Sequence, residues 1–177
     1  GIAARILDGL TVNGVLQSTL ILSPPGGGKT TLLRDIIRAV SDGDGVTPMR
    51  VGIADERGEL AAMYDGIPQL NVGRRTDVLD GCPKGTALLM LLRGMNPQVL
   101  AADEITAPAD CAALEAAANC GVTLLTTAHA SSGGDLCARP LYRHLLEAGI
   151  FRRAVLIQGG GKERTYQVKR LEGGAVC

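Results

Sequence analysis

Residues 23–31 read Ser23-Pro24-Pro25-Gly26-Gly27-Gly28-Lys29-Thr30-Thr31, directly after the apolar run Leu20-Ile21-Leu22 and directly before Leu32-Leu33-Arg34-Asp35-Ile36-Ile37. A buried strand on one side and a helix pattern on the other are the setting of a phosphate-binding loop. Glycines let the backbone curl around a polyphosphate and aim N–H groups at it, and the following helix adds its positive dipole end. Pro25, Gly26, Gly27, Gly28, Lys29, Thr30 and Thr31 are thus the candidate nucleotide cradle. Lys29 is placed to reach the β- and γ-phosphates and the Thr30 hydroxyl to bind Mg²⁺. The usual pattern opens with glycine; here Ser23 holds that place, which costs some backbone freedom and removes no phosphate donor.

Outward from this loop, short apolar runs alternate with helical patterns, which predicts an α/β fold built on a parallel sheet. Strands are expected at 18–22, 50–54, 98–102, 122–127 and 154–158, and helices at 29–41, 86–95, 109–119 and 135–148. Asp42-Gly43-Asp44-Gly45 and Asn119-Cys120-Gly121 close the first and third helices with residues that tolerate left-handed dihedrals. Residues 58–84 read as mostly irregular, with a helical turn near Leu60–Tyr64. Residues 1–17 read as a small N-terminal hairpin, turning at Asn13-Gly14, or as the end of a linker, and 154–171 as a terminal strand and hairpin about Gly159-Gly160-Gly161-Lys162. The whole of 1–177 reads as one domain. The chain opens without Met, as an excised domain does.

The run Val99-Leu100-Ala101-Ala102 ends in Asp103-Glu104. In a parallel sheet that end shares a rim with the phosphate loop, so Asp103 can hold Mg²⁺ and Glu104 can polarise a water for attack on the γ-phosphate. The next strand, Leu124-Leu125-Thr126-Thr127-Ala128-His129, is expected to insert between the loop strand and the Asp-Glu strand. Thr127 or His129 then serves as a γ-phosphate sensor; His144, inside a helix, reads as a packing residue. Asp55-Glu56-Arg57-Gly58-Glu59 closes the second strand, and Glu56 is the rival to Glu104 as catalytic base. Ring ATPases take an arginine from the neighbouring subunit, and Arg57, Arg74, Arg75 and Arg93 are the candidates for that role in trans.

Composition narrows the classes. Apolar residues make up 46% of the chain and aromatics only 2%, so the core is aliphatic. A net charge of +0, with no aromatic stacking residues and no basic stripe, argues against nucleic acid as a partner. No apolar run approaches the roughly 20 residues that span a bilayer, so any membrane link passes through a partner. The five scattered cysteines suggest reduced thiols rather than a disulfide framework or metal site. No Leu-Ser-Gly-Gly-Gln-like signature precedes Asp103, against a transport cassette.

Several blocks together resemble the stage III sporulation protein AA ATPases of endospore-forming bacteria. They are Ser23–Pro25 through Gly28–Asp35, Asp55-Glu56-Arg57, Arg75-Thr76-Asp77-Val78-Leu79-Asp80 with Cys82-Pro83-Lys84, Asp103-Glu104-Ile105 and Thr127-Ala128-His129. They run from about residue 20 to 130, and Phe151-Arg152-Arg153 is similar too. That family is similar in turn to the hexameric type II and type IV secretion ATPases on a RecA-like P-loop core. The resemblance implies a cytoplasmic ATPase using ATP and Mg²⁺, ring-forming as a hexamer. It implies peripheral docking on membrane-embedded channel proteins between mother cell and forespore, on the mother-cell side, and an N-terminal domain upstream. Two departures stand out: Gly58-Glu59-Leu60-Ala61-Ala62 where Ser-Glu-Ile-Ala is expected, and Thr106 where the family continues with glycine. The rival reading is a nucleotide-gated assembly module with little intrinsic hydrolysis.

Overall fold

The computed structural model describes residues 1–160 and 163–171. A 3₁₀ turn (Ala3–Arg5), α1 (Leu7–Leu10) and a hairpin of β1 (Thr11–Val12) and β2 (Val15–Leu16) precede the phosphate-loop strand β3 (Thr19–Ser23) and helix α2 (Lys29–Asp42). β4 (Val51–Asp55) follows, then the short β5 (Met63–Tyr64) and β6 (Ile67–Pro68), β7 (Thr76–Asp80) and α3 (Lys84–Gly94). The remainder is β8 (Val99–Ala102), α4 (Pro108–Asn119), β9 (Thr123–His129), α5 (Gly133–Cys137), α6 (Pro140–Glu147), β10 (Arg153–Gln158) and β11 (Thr165–Arg170).

Seven strands form one sheet in the order β11-β10-β3-β9-β8-β4-β7, parallel throughout except for the antiparallel terminal pair β10-β11. β9 does insert between β3 and β8, and the C-terminal hairpin is present. The central strands β3, β4 and β8 are buried along their length, as strands covered on both faces must be. Successive side chains point to opposite faces, so Ile21 joins the layer under α2 while Leu20 and Leu22 join the layer under α3, α4 and α6. Helix α2 contributes Leu32, Leu33, Ile36 and Ile37 to the first layer, each at most 1% exposed. At roughly 1.5–3 kcal/mol for each such side chain, these four contacts press the start of α2, and with it the phosphate loop, against the sheet. Gly43, at φ +79°, ends α2 and donates its N–H to the Ala39 carbonyl.

Three expectations need correction. Leu60 and Ala61 do not start a helical turn: their N–H groups donate to the Asp55 carboxylate, and Met63–Pro68 then forms a two-stranded hairpin. Residues 76–80 are not irregular but an edge strand paired in parallel with β4. Its half-exposed, charge-bearing composition hides it, because an edge strand needs no continuous apolar run. The helix expected over 135–148 is two helices, because Pro140 opens α6 and Arg139 before it is extended. Cys82, Cys111 and Cys120 carry free thiols, with burial pushing the Cys111 thiol up to about 11.

Candidate functional site

The phosphate loop leaves the C-terminal end of β3, and each of its special backbone positions has a physical reason. Gly28 stands at φ +92°, a conformation side-chain-bearing residues rarely adopt. A Cβ on Gly27 would overlap the Ser23 hydroxyl, so the serine that replaces the motif's first glycine is accommodated by a glycine four residues on. Ser23 itself does not take a positive φ, and nothing in its backbone requires glycine.

Lys29 is buried, and no carboxylate among the described residues pairs with it. Its ammonium donates to the carbonyls of Ser23 (3.3 Å) and Pro24 (3.4 Å) and to His129 Nδ1 (2.7 Å). Burial pulls its pKa below the usual 10.5, only partly offset by the more distant charges of Asp103 and Glu104. A buried cation leaning on carbonyls and an imidazole is poised to gain an anion. His129 Nδ1 accepts from the ammonium, and Nε2, on the other side of the ring, stands 3.2 Å from Glu104 Oε2, close enough to feel its charge but not aligned as a hydrogen bond.

Thr30 and Asp103 meet across the cleft, the Thr30 hydroxyl donating to Asp103 Oδ2 at 2.6 Å. Thr127, on β9, donates to the other oxygen of Asp103 and accepts the Glu104 N–H at 2.9 Å. Thr127 therefore orients the Asp103-Glu104 pair, while His129 is the residue of β9 that bridges lysine and glutamate. Glu104 is held at φ +41°, in the left-handed region, and Lys84 donates to its carbonyl at 2.5 Å. Thr106 does not take a positive φ; its N–H and that of Ala107 donate to Asp110, so this turn closes without the expected glycine.

Glu56 lies outside this cleft. Its carboxylate pairs with buried Lys84 at 3.4 Å, and both line a cavity of about 30 Å³ that adjoins the cleft at Asp103 and Glu104. Arg57 reaches into the chain's own cleft, with Nη1 4.0 Å from Glu104 Oε2. The other three arginines sit at the far rim. Arg74 pairs with Asp42 (3.5 Å) and Arg75 donates to the Ser41 carbonyl (2.9 Å), both at the end of the 14-residue α2, about 20 Å from its start. Arg93 occupies the last turn of α3, which leads into the start of β8. None of Arg74, Arg75 and Arg93 lines the cleft that holds Lys29.

Lys29, Thr30, Asp103, Glu104 and His129 line one cleft of about 410 Å³. The donor set fits Mg²⁺ with a polyphosphate: one carboxylate and one hydroxyl, leaving the ion's other positions to phosphate oxygens and water. No group of three or more acidic, histidine or cysteine side chains that could hold a metal by itself exists among the described residues. Sequence reading missed three side chains here. Lys84 carried no motif, although it lies in the Cys82-Pro83-Lys84 block. Arg34 ties the 59–60 turn to α2 through the Glu59 and Leu60 carbonyls, both at 2.6 Å. Arg164 enters the cleft from the C-terminal hairpin.

A family model described as "Sporulation stage III, protein AA" matches residues 1–172. Stage III sporulation protein AA of Bacillus subtilis (strain 168) is 46% identical over 154 residues, which cover 86% of this chain and 50% of that protein. An uncharacterized protein, ycf45, of Porphyra purpurea is 33% identical over 158 residues, 88% of this chain and 27% of its own length. The chain thus spans half or less of these curated relatives. Among solved structures, the VirB11 ATPase of the Brucella suis type IV secretion system superposes with a TM-score of 0.61 at 17% identity, over 94% of this chain and 50% of that one. The pilus retraction motor PilT, solved with bound ADP, gives 0.64 at 15% identity over 95% and 50%. At such identities the likeness establishes the fold, that of the P-loop secretion ATPases.

Proposed function

Since this chain belongs to the stage III sporulation protein AA family, we propose that it is the ATP-hydrolysing core of a motor serving a sporulation channel. One observation carries the reading: a buried lysine with no carboxylate partner among the described residues and a hydroxyl–carboxylate pair, Thr30 and Asp103, face the same cleft at the mouth of a glycine loop. In this reading Lys29 leaves the Ser23 and Pro24 carbonyls for the β- and γ-phosphates, and Thr30 and Asp103 hold Mg²⁺. The ion, when bound, neutralises charge on the β- and γ-oxygens. Glu104 accepts a proton from the attacking water as the water oxygen bonds to the γ-phosphorus and the bond to the ADP oxygen breaks. Oε2 of Glu104 faces His129 Nε2 at 3.2 Å, and in this reading Oε1 receives the water's proton. Through the Lys29–His129–Glu104 chain, the imidazole registers whether the lysine has moved to a phosphate.

The motor acts as a ring, taken to be a hexamer, with Arg74, Arg75 or Arg93 reaching a neighbour's γ-phosphate. It works in the cytoplasm on the mother-cell side, docked on membrane-embedded channel proteins. No helix among the described residues is long and apolar enough to cross a membrane, which fits docking through partners. The upstream part of the family's length supplies an N-terminal domain.

One observation favours the second reading, a nucleotide-gated assembly module: Glu104 is engaged by His129 and faced by Arg57 within the single chain. The deciding experiment is ATP hydrolysis with Mg²⁺ across protein concentration, with the mass of the ATP-bound species measured in parallel. Specific activity that climbs with assembly supports the motor. Tight binding without turnover at any concentration supports the module.

A further inference from the structure

Arg164, just ahead of β11 in the β10–β11 hairpin, lies beside the phosphate loop. Gly159, at φ +79°, makes the turn tight enough: a Cβ there would stand 2.5 Å from the Glu163 carbonyl oxygen. The turn delivers Arg164 to Gly28. A Cβ on Gly28 would lie 2.9 Å from Arg164 Nη1 and 3.2 Å from its Cζ, so the guanidinium rests on the bare face of the glycine that precedes Lys29.

Three features set this arginine apart. It lines the same cleft as Lys29, Thr30 and His129. Its Nε is buried with no hydrogen-bond partner among the described residues, and the side chain makes no ion pair with the acidic residues of that cleft, Glu59, Asp103 and Glu104. A buried, unsatisfied guanidinium N–H costs free energy that folding alone does not return. A phosphate chain lying in this cleft would bring oxygen acceptors to the guanidinium, whose planar donor fork matches phosphate geometry.

We propose that Arg164 is a polyphosphate-binding residue acting in cis, by which the C-terminal hairpin clamps the nucleotide's phosphate chain onto the loop. The proposal rests on the nucleotide-binding reading of the cleft and adds to it a donor from the far end of the chain, 136 positions after Gly28. The hairpin is then more than an edge to the sheet: its Arg164 forms part of one wall of the site.

The test is equilibrium binding of fluorescent ADP and of a fluorescent non-hydrolysable ATP analogue to the full chain, with no turnover required. Arg164→Ala is expected to weaken both roughly ten- to a hundred-fold, the range of a charge-assisted hydrogen bond. Arg164→Lys should recover part of the loss. Lys169→Ala removes the same charge from the exposed far end of β11 and should leave affinity unchanged. Thermal melts of each variant separate lost binding from lost folding, and Arg164→Gln keeps a donor of similar length should alanine unfold the hairpin. Affinities of Arg164→Ala and Arg164→Gln within two-fold of the wild type overturn the proposal. If wild type and Lys29→Ala bind equally weakly, the nucleotide-binding reading fails first, and Arg164 falls with it.

Discussion

Two neighbouring strands of the sheet end in the same dipeptide, yet the two ends do different work. β4 closes on Asp55-Glu56 and β8 is followed by Asp103-Glu104, and the strands are in register, with Ala54 opposite Ala102. Asp55 is 3% exposed and its carboxylate accepts the N–H groups of Leu60 and Ala61, with Ala61 at 2.8 Å. It is spent on holding the chain's own turn. Asp103 accepts hydroxyls from Thr30 and Thr127, groups that can exchange it for a cation, and it opens onto the phosphate loop. The difference lies in the neighbours: β9, which inserts next to β8, supplies Thr127 and His129, whereas β4 has only the edge strand β7 on its other side. A motif takes its role from the strand beside it.

The strongest way to break this contrast is to neutralise the glutamates separately. Glu104→Gln should cut ATP hydrolysis roughly a thousand-fold while nucleotide binding persists, as removal of a positioned general base does. Glu56→Gln, acting outside the cleft, should cost less than about ten-fold. Steady-state kinetics beside equilibrium binding read both, and the reverse ranking would move the base to β4.

Stability should rank the aspartates the other way. Asp55→Ala leaves two buried backbone N–H groups without an acceptor and should cost about 3 kcal/mol in chemical denaturation. Asp103→Ala should cost about 1 kcal/mol, since the Thr30 hydroxyl can turn to solvent and Thr127 keeps the Glu104 N–H. Equal losses would mean that Asp103 is as structural as Asp55.

Lys84 connects the two ends, donating to the Glu104 carbonyl and facing the Glu56 carboxylate. Lys84→Met should lower turnover about ten-fold with binding unchanged, because it frees the left-handed Glu104 to drift from its place. A matching loss of affinity would show that Lys84 touches nucleotide instead of positioning the glutamate.

How far the sequence was legible follows the same logic of neighbours. The phosphate loop, the Asp-Glu strand end and the inserted β9 could be read because each motif is local and its periodicity marks its element. Lys84 and Arg164 could not. Each acts on residues far away in the chain, and a lone Lys or Arg carries no sign of its eventual contact. The one available cue for Arg164 was the glycine turn ahead of it, which fixes a hairpin but not what lies beneath. β7 escaped for a different reason: Thr76-Asp77-Val78-Leu79-Asp80 is polar enough to pass for a loop, and only its pairing with β4 makes it a strand. Among the arginines the sequence suggested four equivalent candidates, and the geometry separates them by rim, Arg57 near and the rest far.

The smallest expected effect concerns the lysine that serves the Asp103 end alone. Burial lowers the pKa of Lys29 from 10.5, so the folded chain releases this proton at a lower pH than the unfolded chain does. Between the lowered value and 10.5 the unfolded state binds more protons, and by linkage stability must rise with pH across that window. The cost of burying the ammonium is fully present below the folded value and is relieved above it. Lys29→Met should therefore remove that upward slope from the pH profile of nucleotide-free stability, read by denaturant midpoints. Nucleotide reverses the sign: phosphate stabilises the ammonium, so binding takes up a proton and affinity falls as pH rises through the lowered value. Buffers of different ionisation enthalpy in calorimetry would register that uptake. An unchanged slope in Lys29→Met, with no uptake in the wild type, would mean the lysine titrates as it does in water and that its burial does not prepare it for an anion.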